Sequence, residues 1–129
     1  MATQANVAEF VERARVLCNT PNRNQRKEAE NYFQSSRSQD VDGTFHTCIS
    51  IVSAVSVGSQ LDIAPEHLLA SQTLSWICKH KVVTGEQMQT VFHLLVRLAA
   101  GGYRPKHVLV VQIASALSAS FLISRMRMD

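Results

Sequence analysis

Between His107 and Arg125 the chain carries no acidic or basic side chain, and Val108, Leu109, Val110, Val111, Ile113, Ala114, Ala116, Leu117, Ala119, Phe121, Leu122 and Ile123 crowd that interval. Read as a helix over 105–126, opened by Pro105, the segment is apolar almost all round, and such a helix has to be covered on several sides. Its length would reach across a bilayer, but Gln112, Ser115, Ser118, Ser120 and Ser124 interrupt the run, which favours burial among other helices over a membrane span. A chain built around this segment has to supply partner helices.

The nearest partner is 65–81. Pro65 presets φ at a position where a helix has a spare N–H, and Lys79, His80 and Lys81 place cations where the last carbonyls favour them. Leu68, Leu69, Leu74, Ile77 and Cys78 recur at three- and four-residue steps, with Ala70 and Trp76 off the main stripe. This helix too needs cover on more than one side.

Four further segments read as helices. Over 5–18, Val7, Phe10, Val11, Ala14, Leu17 and Cys18 repeat at amphipathic spacing, and Asn19-Thr20-Pro21-Asn22 stops the run. Residues 23–36 carry only Ala29, Tyr32 and Phe33 as a narrow stripe, and 35–43 is polar enough for a loop. Phe45, Cys48, Ile49, Val52 and Val55 mark a third helix, ended by Gly58 and a loop through Asp62. Thr84 and Gln87 form a capping-box pattern ahead of Met88, Val91, Phe92, Leu95, Val96 and Leu98, and Gly101-Gly102 is a stop. Breaks at intervals of roughly 20 residues give an all-α superhelix of three antiparallel hairpins, about 3–37, 43–81 and 84–126, a helical-repeat pattern of roughly 40 residues per unit.

Composition narrows the function classes. With 46% hydrophobic residues in 129 the chain can bury a core, and a net charge of +3 from dispersed lysines and arginines favours a solvated surface over a nucleic-acid groove. Cys18, Cys48 and Cys78 lie without paired or CxxC spacing and read as reduced core thiols. His46, His67, His80, His93 and His107 form no HxxH or HExxH arrangement, and no nucleophile and carboxylate accompany them in a recognisable motif. The sequence therefore predicts no enzyme, no cofactor and no metal. Arg23, Arg26 and Lys27, and Lys79 with Lys81, are cations on amphipathic helices that either face solvent or meet an acidic partner. Trp76 is either core or a partner anchor.

Phe10-Val11-x3-Arg15-Val16-Leu17 followed by Asn22-Arg23-Asn24-Gln25-Arg26-Lys27-Glu28-Ala29-Glu30-Asn31-Tyr32-Phe33 resembles the opening hairpin of the importin-β superfamily. Leu68-Leu69-Ala70-Ser71-Gln72-Thr73-Leu74 looks like the (F/L)-x-A-(A/S)-Q-x-L signature of that family's second repeat. Val111-Gln112-Ile113-Ala114-Ser115-Ala116-Leu117-Ser118 resembles the third repeat in the transportin-SR and importin-13 branch. The family's tryptophan near the start of the third helix is replaced here by the run Asp40 to Phe45. The resemblance implies the amino-terminal HEAT repeats of a nuclear transport receptor moving between cytoplasm and nucleus. It implies binding of the GTPase Ran in its GTP form, with cargo proteins and nucleoporins engaged by a longer solenoid, and no direct contact with nucleic acid or membrane. By helix phase, the Ran-facing residues it implies are Arg26, Glu30, Ser71, Ser75, Lys79, Gln112 and Ser115. The alternative is a helical-repeat scaffold with no GTPase partner.

Overall fold

Three of the helices start at a side chain that satisfies free backbone groups, that of Asn22, Asp40 or Thr84. The computed structural model describes residues 4–54, 64–104 and 107–128, and among these residues it is all-helical. The elements are α1 (Gln4–Asn19), α2 (Arg23–Gln39), α3 (Val41–Ser53), α4 (Pro65–His80), α5 (Gly85–Ala100) and α6 (Val108–Met128). The third-helix end at Val55, the stop at Gly58, the loop through Asp62 and the proline at 105 lie outside the described residues.

Asn22 caps α2 by accepting from the N–H groups of Asn24 and Gln25 at 3.0 and 3.1 Å. Thr84 and Gln87 close a reciprocal capping box at the start of α5, with bonds of 3.1 and 2.9 Å. Past the end of α5, Gly102 takes φ 89°, the left-handed region that a side chain disfavours. There Tyr103 N–H bonds Leu98 O and Gly102 N–H bonds Ala99 O, the paired pattern of a Schellman stop, and Tyr103 itself is buried.

One expected loop is absent. Residues 35–43 were to connect α2 and α3, yet α2 continues to Gln39 and α3 begins at Val41. Asp40 makes the sharp join: its N–H donates to Ser36 O, its carboxylate accepts from Gly43 N–H at 3.3 Å, and Thr44 Oγ1 donates to Ser36 O at 2.8 Å. A Cβ at Gly43 would run into the Asp40 carboxylate, so a larger residue there would displace the capping side chain.

Consecutive helices pack as hairpins, α1 with α2, α3 with α4 and α5 with α6. Successive hairpins then stack, and α4 is the hub: it packs against α1, α2, α3 and α6. Its Ala70, Leu74, Ile77 and Cys78 are fully buried, alongside Phe45, Cys48 and Val52 of α3 and Leu109, Ile113 and Ala116 of α6. The first hairpin sits differently from the rest. It meets α4 mainly through α1, while α2 touches α4 only lightly. Phe10 and Phe33 hold that hairpin together edge to face at 4.9 Å, and Arg15 ties it to α4 by a 3.1 Å ion pair with Glu66. No helix among the described residues is long and apolar enough to cross a membrane.

Candidate functional site

The residues expected to meet a partner all lie on α2, α4 and α6, the second helix of each hairpin, and the exposed sides of α2 and α4 border a groove. On α2, Arg23, Arg26, Lys27, Glu30, Gln34 and Arg37 recur at three- and four-residue steps and lie on one flank, beside the buried stripe of Ala29 and Phe33. On α4 the corresponding flank runs Leu69, Gln72, Trp76, Lys79. Between them lies a groove of about 270 Å³ walled by Leu17, Phe33, Leu69 and Trp76, with Glu30, Gln34, Arg37 and Gln72 along its rim. A second depression of about 440 Å³, lined by Pro21, Arg23, Arg26, Lys27 and Glu30, continues it toward the start of α2, with Glu30 shared by both.

At the centre, the Arg37 guanidinium lies 4.3 Å from the Trp76 ring centroid, and the His80 imidazole stacks on the same indole at 4.5 Å with an interplanar angle of 19°. His80 Nδ1 lies 2.9 Å from Trp76 O, which fixes the imidazole one turn beyond the indole. The Nε of Arg37 is buried without a hydrogen-bond partner. Among the described residues a single ion pair occurs, Arg15 with Glu66, so Arg23, Arg26, Lys27 and Arg37 face the groove with no carboxylate paired to any of them.

The residues named from sequence divide into three groups. Arg26, Glu30 and Lys79 are exposed, and the first two share the depression on α2. Gln112 and Ser115 are half-buried on α6, outside the α2/α4 groove. Ser71 and Ser75 were expected on the exposed face and are instead buried, at 0% and 4% exposure, with Ser71 Oγ donating to Leu68 O at 2.7 Å. The cause is the tight seam between α4 and α6. Ser71 shares a face of α4 with the buried Cys78, and α6 is the helix that α4 packs against most closely, with its own small Ala116 and Ser120 buried, so these small side chains are where the two helices approach. The exposed stripe is therefore one residue further along, at Gln72 and Trp76. Sequence reasoning weighed Trp76 and missed Arg37, Gln34 and Gln72; phasing α4 from Trp76 and Lys79 in place of the serines would have found Gln72.

Electrostatics elsewhere are structural. Burial raises the pKa of Glu66, but the bond from its own backbone N–H and the bond and charge of Arg15 outweigh it, leaving the carboxyl below its usual range. Burial pushes both the Cys48 and Cys78 thiols up, and each raises no prospect of a reactive thiolate. Cys18, expected in the core with them, is exposed because it lies at the end of α1, past the turn that Ala14 buries. No group of three or more His, Cys, Asp or Glu side chains able to hold a metal occurs among the described residues.

Comparison of the chain with protein-family models, with curated proteins and with solved structures gives no match. The family resemblance thus rests on the motifs quoted above, and the fold rests on the helices themselves.

Proposed function

We propose that the chain is the Ran-binding amino-terminal part of a nuclear transport receptor of the importin-β type, with HEAT-like hairpins and cargo carried on a longer solenoid. The observation that carries this reading is the seating of α4 against α6, second helix on second helix in the second and third hairpins, with α3 against α5 alongside. That arrangement is what a superhelix of repeated hairpins requires. The order and spacing of the quoted motifs supports the family, and an apolar surface on the third hairpin, with Phe92, Val96, Val111 and Leu122 each more than two-fifths exposed, suits a further hairpin laid against it.

In this reading Arg26, Glu30 and Lys79 reach the GTPase, Gln112 and Ser115 lie at the margin, and Gln72 and Trp76 replace Ser71 and Ser75. Such a surface needs no reactive group. It works by binding one nucleotide state of its partner more tightly than the other, and the difference in affinity is what admits or releases cargo.

The test is calorimetric titration of the chain with Ran loaded with a non-hydrolysable GTP analogue or with GDP. Binding is expected to be weak, with the GTP form favoured about tenfold or more, and Lys79→Glu is expected to weaken it. Equal affinity for the two forms, or no binding to either, would contradict the transport reading and leave a helical-repeat scaffold.

A further inference from the structure

We infer that the groove between α2 and α4 binds an extended acidic peptide with an apolar residue at its middle. The inference uses part of the surface assigned to the GTPase but does not depend on that reading, because the groove selects a short segment by its charge and side-chain pattern, whichever protein carries it.

Charge comes first. Arg23, Arg26, Lys27 and Arg37 line the track, none of them paired with a carboxylate, against the single acid Glu30. Fourteen residues separate Arg23 from Arg37, about 21 Å along a helix. An extended peptide of six or seven residues, at about 3.3 Å each, has that length. From its middle to its Arg37 end the track is different in kind: Leu17, Phe33, Leu69 and Trp76 form an apolar wall between Glu30 and Arg37. A carboxylate beside Glu30 would meet another carboxylate, whereas an uncharged apolar side chain would bury itself against Leu17, Phe33 and Leu69. The Gln34 and Gln72 amides flank that point and can hydrogen-bond the peptide backbone from both helices. Arg37, held 4.3 Å from the Trp76 ring centroid, is already placed in the groove, so little side-chain freedom is lost when it meets a carboxylate.

Trp76 is the only tryptophan in the chain, so its emission reports occupancy of this groove directly. The experiment titrates the full chain with acetyl-Asp-Glu-Asp-Leu-Asp-Glu-Asp-amide, with the same peptide carrying Asn and Gln in place of the acids, and with hexauridine. The acidic peptide is expected to change the emission saturably, less tightly as salt rises, and the neutral peptide to bind about tenfold more weakly or worse. Arg37→Gln should weaken the acidic peptide about tenfold, Glu30→Gln should tighten it about threefold, and Arg104→Gln, a cation outside the groove, should leave it unchanged. Thermal melts establish that each variant is folded, and the Glu30→Gln result, a gain, cannot arise from misfolding. The inference is overturned by equal binding of the neutral peptide, by Arg104→Gln and Arg37→Gln weakening binding alike, by hexauridine binding as tightly as the acidic peptide, or by the absence of any emission change.

Discussion

Helices α2 and α6 hold the same place in their hairpins and are held there by opposite means. α6 buries Leu109, Ile113, Ala116 and Ser120 along a seam with α4 and α5 and still leaves Val111, Phe121 and Leu122 in solvent. α2 buries only Ala29 and Phe33, is polar or charged over nearly all the rest, and reaches α4 lightly. Where a helix has apolar side chains on most of its surface, packing fixes its position. Where it has a two-residue stripe, end caps and a neighbour's ion pair do that work, and a groove opens beside it. The proposed binding face of this chain therefore lies at its least tightly packed seam.

The sharpest way to break the comparison is to cut into the α6 seam. Ile113→Ala removes a fully buried branched side chain, and a loss of about 3 kcal/mol in unfolding free energy is expected from denaturant titration. A loss below about 1 kcal/mol would mean that α6 is no better anchored than α2.

Next comes the cap on which α2 depends. Asn22 accepts from two first-turn N–H groups, and Asn22→Ala should cost about 1 kcal/mol, with helical circular dichroism falling in the first hairpin's share of the signal before the main transition. A single cooperative melt with no early loss would argue that α2 is held by the core after all.

The ion pair between α1 and α4 gives the smallest effect and a signature in pH. Arg15 is largely exposed while Glu66 is buried, so the pair is partly screened and should contribute about 1 kcal/mol or less. Because the folded pKa of Glu66 lies below its unfolded value, the stabilisation is complete above the unfolded carboxylate value of about 4.3 and is lost as pH falls through the folded one. Glu66→Gln should therefore lower the melting temperature at neutral pH and converge with the unaltered chain in acid. Parallel curves across that range would show that the pair does not fasten the first hairpin.

The sequence carried the helices, and much of their punctuation, because these depend on neighbours in the chain. Pro65 at the head of α4, the Thr84 and Gln87 box and the stop at Gly101 and Gly102 all act within one turn, and each stands where local chemistry put it. The join at Asp40 was missed because a polar run reads as a loop, whereas one carboxylate beside a glycine suffices to end one helix and start the next. The groove was only half legible. Arg26, Glu30 and Lys79 follow from helix phase, but the burial of Ser71 and Ser75 is set by α6, forty residues away, and the meeting of Arg37 with Trp76 depends on how far α2 stands from α4. No periodicity within one helix encodes either distance.

Amide hydrogen exchange resolved by helix tests the central claim, that α4 is the fixed hub and α2 the loosely seated rim of its groove. The slowest amides should lie in α4 and the facing turns of α6, and those of α2 should exchange at least about a hundredfold faster, a difference of about 2.7 kcal/mol in opening free energy. Equal protection of α2 and α4, or α2 outlasting α6, would contradict it.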